Sequence, residues 1–246
     1  MQFTITIMKN IYAMIPARIG SQRLKYKNLA LINGKPMIYY AIESAKKSKL
    51  FKKIILNSDH PIFEKIAKRY NIEFYLRPRK LGSSNIKSDD VVSDFIHKYN
   101  ELETLVWVNS IAPFQTGLDI KNCIKFFFKN KYDSLITTTP FQLHGLYNGK
   151  PINFNKNKKF AKTQDLKKIE IFLYSIMMWN AKSFIKSYAK NKFGITCGKF
   201  GTFPISQDKS ILIKHPEDLR MANYYMSNKL NKKFKIKYDH LMRDIK

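Results

Sequence analysis

Short apolar, β-branched runs alternate along the first half of the chain with segments whose apolar positions recur every three or four residues. That is the pattern of βαβ units wound around a parallel sheet. The run Ile11–Ile15 predicts a first strand. Pro36, tolerated in the first turn of a helix, precedes Met37, Tyr40, Ala41 and Ala45, which share one helical face. KKIILNSD predicts a second strand ending in Ser58 and Asp59, and Pro61 opens a second helix to about Tyr70. IEFYLRP predicts a third strand stopped by Pro78, with RKLGSSNIKSDD as a loop over the sheet's edge. Asp89 and Asp90 stand at the mouth of a helix reaching Tyr99, where acidic side chains favour the positive end of the helix dipole. TLVWVNS, apolar almost throughout, predicts a central fourth strand, Asp119 to Lys129 a helix, and DSLITTT a fifth strand.

The rhythm degrades between Leu143 and Lys168, where NGK and NKNKK predict a hairpin or a protruding arm, and residues 140–180 are set apart as an inserted arm. It resumes with IFLYSIMMWN, a short helix from Ala181 to Lys190, a strand around Ser210 to Ile213 and a last helix from Pro216. The whole reads as one α/β domain over residues 8–246. MQFTITI is apolar but lacks a basic leader and a small-residue cleavage site, so residues 1–7 read as an N-terminal extension rather than a signal peptide. No apolar run approaches the roughly 20 residues that span a bilayer, so no membrane partner is expected.

Charge narrows the partners. Against 18 acidic residues stand 45 Lys and Arg, a formal net charge of +27. The lysines are dispersed rather than gathered in a stripe, which argues against specific nucleic-acid binding and for attraction of small polyanions such as nucleoside triphosphates. Cys123 and Cys197 have neither metal-type nor disulfide-framework spacing, which fits a reducing cytoplasm. His60, His97, His144, His215 and His240 show no paired spacing for a metal. Phe126–Phe128 and Met177–Trp179 read as packing residues.

The chemistry concentrates in the loop after the first strand, IPARIGSQRLKYKN, which carries Arg18, Gly20, Ser21, Arg23, Lys27 and Asn28. A loop delivered at the carboxyl end of a parallel strand places backbone N–H groups and cations where phosphates sit. Taken singly, the same residues also read as solvated cations and turn formers. In order and spacing, IPARIGSQRLKYKNLALINGKPMIYYAIESAKKSKLFKKIILNSD resembles the opening of the sugar-acid cytidylyltransferases, the CMP-sialic acid and CMP-Kdo synthetases. LRPRKLGSS, PFQTGLDI and PEDLRMAN are weaker echoes of the same family. The resemblance implies a Rossmann-like nucleotidyltransferase domain, homodimeric through the arm, that binds CTP and a sugar acid. The acid's anomeric hydroxyl attacks the α-phosphorus and pyrophosphate leaves, for surface glycan or lipopolysaccharide assembly. It assigns Arg18 and Lys27 to the triphosphate as catalytic charges, with Gly20, Ser21, Arg23, Asn28, Arg77 and Asn109 also on the nucleotide and Gln164 on the sugar acid. Edge pairing with Glu73 is the other reading of Arg77, and strand-end capping that of Asn109.

The resemblance also implies Mg²⁺ held by carboxylates, since a hard cation takes oxygen ligands. Here the chain departs from the family. ILIKHPEDL puts Leu212 and Lys214 where aspartates are expected, and Asn109–Pro113 replaces the alternative acidic loop. Three readings stay open: Lys214 takes over part of the metal's charge, Asp59, Asp208 or Asp218 supplies a displaced ligand, or nucleotide binding persists without catalysis. Nor does the AKTQDLKK segment offer an arginine for a carboxylate; Lys162, Lys167 and Lys168 supply point charges. A nucleotidyl- or glycosyltransferase using another nucleotide is a further alternative.

Overall fold

The computed structural model describes residues 10–227; the expected extension over residues 1–7 lies outside them. In chain order the strands and helices are β1 (Ile11–Ala17), β2 (Leu31–Ile32), β3 (Lys35–Pro36), α1 (Met37–Ser48), β4 (Lys53–Ser58), α2 (Ile62–Arg69), β5 (Glu73–Leu76), α3 (Ser88–Lys98), β6 (Thr104–Val108), α4 (Gly117–Lys129), β7 (Ser134–Phe141), β8 (Leu146–Tyr147), β9 (Lys150–Pro151), β10 (Ile169–Asn180), α5 (Ala181–Asn191), β11 (Phe200–Pro204) and α6 (Pro216–Ser227). Seven strands form one sheet in the order β11-β7-β10-β6-β1-β4-β5. Only β10 runs against its neighbours, β6 and β7. The mostly parallel α/β architecture expected from the alternation is the one observed.

The two faces of β1 show why so continuous an apolar run lies in the middle. Ile11, Ala13, Ile15 and Ala17 pack into the core beneath α1, α2 and α4, whereas Tyr12 and Met14 face the core beneath α3 and α5. A strand covered on both sides needs apolar residues at every position rather than at alternate ones, and each buried isoleucine or methionine among them contributes roughly 1.5–3 kcal/mol. β6, with all five residues buried, follows the same rule. α4 starts where its sequence can satisfy free amides: the Thr116 hydroxyl accepts from Asp119 N–H (3.2 Å), and the Asp119 carboxylate accepts from Thr116 N–H (2.8 Å). Cys123 and Cys197 are both buried as free thiols; burial pushes Cys197 up to about 11 and Cys123 further.

Two expectations change. Ser210–Ile213 is not a strand; Ile213 instead packs with Ile32, Met37 and Ala222, and its N–H donates to the Ile111 carbonyl (2.8 Å). The seventh strand is β11, where Gly201 lets the edge pass against the Tyr132 ring: a Cβ there would fall 2.4 Å from it. Of the region 140–180, the residues of β10 belong to the central sheet, so the part outside it is 142–168. Its β8–β9 hairpin turns on Asn148 and Gly149, both at positive φ.

Candidate active site

From β1 the chain adds β4 and β5 on one side and then crosses to place β6 on the other. Such a reversal opens a crevice beyond the carboxyl ends of the strands. A cavity of about 230 Å³ lies there, between the ends of β1 and β6, the loop carrying Ser21, Lys27 and Asn28, and the loop after β5. Leu81, Ile86, Val91 and Trp107 make its apolar side.

One wall is pinned by Arg77. Its guanidinium, 4% exposed, donates to the Asn57 carbonyl (2.8 Å), the Asn57 Oδ1 (2.9 Å) and the Ala17 carbonyl (3.1 Å), and lies 3.7 Å from Asp59 Oδ1. Burial lowers its pKa, with Asp59 and Asp94 opposing. Asp59 also accepts from the Ile19 N–H (3.2 Å), so one carboxylate ties the first turn of the β1 loop to the arginine. Gly82 closes over this carboxylate; a Cβ would lie 2.1 Å from Asp59 Oδ2, so the loop after β5 can rest there only on a glycine. Glu73, the alternative partner for Arg77, pairs with Lys53 instead.

The far end of the β1 loop is fastened by Asn28. Its Oδ1 accepts from the Ser110 hydroxyl (2.7 Å) and its Nδ2 donates to the Arg18 carbonyl (3.4 Å), which draws the loop back onto β6. Asn28 is thus buried within the cavity wall. Asn109 Nδ2 donates to the Tyr174 carbonyl (3.1 Å) and its Oδ1 accepts from the Ile111 N–H (3.4 Å), so the strand-end capping reading holds for its amide. Asn109 also lines the cavity.

What the loop holds up is positive charge. Lys27 is pushed down to about 8, first by burial and then by Arg23, Arg18 and Lys214. Lys214 is brought close by the Ile213–Ile111 hydrogen bond and by Asp218, whose carboxylate accepts from the Lys214 and His215 N–H groups (2.8 Å each). Among the described residues none of these four cations is paired with a carboxylate. Ser21 adds a buried hydroxyl with no hydrogen-bond partner. A concave site with uncompensated cations and an unused hydroxyl suits a polyanion.

Of the residues singled out in the sequence, Arg18, Ser21, Lys27, Asn28, Arg77 and Asn109 line this cavity. Arg23 stands exposed beside it, near enough to repel Lys27. Gly20 is exposed, outside the normal left-handed range, and a Cβ there would meet nothing, so the fold itself does not demand a glycine. Gln164 is exposed in the Thr163–Asp165 turn and is not in the cavity wall. Ser110 and Trp107 were not singled out. A serine following a strand carries no distinctive signal, and the tryptophan is masked by its apolar run.

Magnesium is poorly matched by this wall. It contains no carboxylate, and among the described residues no group of three or more His, Cys, Asp and Glu could hold a metal ion. Of the three candidate acids, Asp59 is engaged by Arg77 and Ile19, Asp218 caps the start of α6, and Asp208 is exposed in the Gln207–Lys209 turn, outside the cavity wall. The described residues therefore do not fit a protein-held Mg²⁺.

Comparison with known proteins agrees with the geometry. The chain is 31% identical over 130 residues to an N-acylneuraminate cytidylyltransferase of Escherichia coli O18:K1:H7, covering 52% of this chain but only 31% of that protein. It is 32% identical over 198 residues to post-translational flagellin modification protein B of Campylobacter coli, covering 73% and 84% of the two chains. With pseudaminic acid cytidylyltransferase of Campylobacter jejuni it shares 30% over 178 residues, 65% and 74% of the two. The solved structure of CMP:2-keto-3-deoxy-manno-octonic acid synthetase with CTP has the same fold, with a TM-score of 0.69 at 16% identity over 90% of this chain and all of that one. A cytidylyltransferase from Leptospira borgpetersenii aligns with a TM-score of 0.60 at 18% identity, over 92% and 90%. The family model described as cytidylyltransferase matches residues 12–182, and this chain belongs to that family.

Proposed function

We propose that this protein transfers CMP from CTP to a sugar acid, sialic-acid-like or Kdo-like, with release of pyrophosphate. The observation that carries the reading is the group of unpaired cations on the β1 loop, set at the strand-order reversal in a chain of this family. Arg18 and Lys27 neutralise the triphosphate, and the Ser21 hydroxyl donates to a phosphate oxygen. The cytidine lies along the wall formed by Arg77 and Asn109. Attack of the anomeric hydroxyl on the α-phosphorus places extra charge on the leaving pyrophosphate, where fixed cations stabilise it without reorganising. Gln164 reaches the acceptor if the segment 142–168 folds over the site. Leu143, Leu146, Tyr147, Ile152 and Phe160 are exposed on that segment, which supports a second copy of the chain as its partner. Free buried thiols support a cytoplasmic setting and the relatives' substrates a surface-glycan product, lipopolysaccharide among them.

A pyrophosphate-release assay with CTP and a panel of sugar acids tests this. Turnover on one acid is the expected result. The cavity's lack of carboxylates favours a second reading, a nucleotide-binding protein without catalysis, and CTP binding with no turnover on any acid would establish it.

A further inference from the structure

No described carboxylate lines the cavity, and four acids on the elements that form it are already committed. Asp59 holds Arg77 and the Ile19 N–H, Asp90 the Tyr188 hydroxyl, Asp94 the Tyr75 hydroxyl and Asp218 two backbone amides. Arg18 and Lys27 line the cavity, Arg23 and Lys214 stand near enough to Lys27 to repel it, and among the described residues none of the four is paired with a carboxylate. A nucleoside triphosphate brings about four negative charges, up to about two of them on its terminal phosphoryl group. Chelation by Mg²⁺ would cancel part of that charge and leave the four cations under-compensated. The cavity wall would also offer the metal no carboxylate oxygen, the protein ligand a small, reluctantly dehydrated ion ordinarily takes beside the phosphates.

We propose that the cavity takes its nucleoside triphosphate as the metal-free anion, with Lys27 and Lys214 as the counter-charges, so that Mg²⁺ in solution competes with the protein for the phosphates. This rests on the CTP reading above. Lys214 is central because Ile213 and Asp218 fix its backbone beside Ile111, a residue of the cavity wall, and its charge bears on Lys27.

Isothermal titration of the full chain with CTP, in EDTA and in saturating Mg²⁺, tests the proposal directly. Expected is tighter binding in EDTA, by on the order of tenfold. K214A should weaken binding in EDTA by a similar factor and narrow the gap between the two conditions, while K214D, which restores an oxygen ligand, should reverse their order. Thermal melts check that both variants are folded, and the wild-type comparison needs neither. Tighter binding of CTP in Mg²⁺ than in EDTA overturns this proposal and leaves the CTP reading standing. Absence of CTP binding in both conditions overturns both.

Discussion

The cavity has two cationic walls of opposite character. Arg77 is buried and has a hydrogen-bond acceptor or a carboxylate on both terminal nitrogens, which join the ends of β1 and β4, and only its Nε is left without a partner. Arg18, Lys27 and their neighbours hold charge that nothing in the described chain neutralises. One wall is structure; the other is held in readiness. An arginine beside a nucleotide cavity is therefore poor evidence for a ligand contact until its partners are counted, and an unpaired lysine carries more.

The contrast can be broken most forcefully at Arg77. R77M strands Asp59 without its cation and should cost about 3–5 kcal/mol of stability, as loss of one partner of a buried pair does; chemical denaturation reads it. An unshifted midpoint would move Arg77 to the ligand side. R18A should do the reverse, leaving the melting temperature unchanged while weakening CTP binding by about 1.5–3 kcal/mol, the worth of a hydrogen bond to a charged group. S110A, which removes the donor to Asn28 Oδ1, should cost about 1 kcal/mol of stability, with a smaller loss of CTP affinity as the loop loosens.

The finest test is pH. Because the Lys27 pKa is lowered, to about 8, its ammonium deprotonates in the empty site at a pH where an ordinary lysine stays charged. A bound polyanion favours the charged form and raises that pKa again. CTP binding should therefore take up protons near pH 8 and weaken as pH rises through that range, with no contribution from this group well below it. Titration in buffers of different ionisation enthalpy measures the uptake. K27R, which stays charged, should abolish it; Arg18, Arg23 and Lys214 face the same ammonium and keep its environment positive in both forms.

Most of the sheet was legible because its strands are apolar on both faces and some helices carry start signals, as Asp89 and Asp90 do for α3. The misplaced strand near Ile213 has a plain cause. A short apolar run such as residues 211–213 looks alike whether it pairs with a strand or drops into a small side core, and Ile213 does the latter. β11 was missed because Gly201 and Pro204 depress strand propensity at an edge, where packing against Tyr132 decides the outcome. The β1 loop was legible as a cluster of residue types. Its internal wiring was not, since the partners of Asn28 and Arg77 come from segments 82 and 60 residues away.

The two native thiols leave a practical opening. With Cys123 and Cys197 enclosed and their ionisation suppressed, a cysteine introduced on the surface would be the fastest-reacting sulfur in the chain. A fluorophore or spin label on the segment 142–168 could then be attached without first removing either native residue, and its distance to a label on a second copy would report whether, and how, two chains meet.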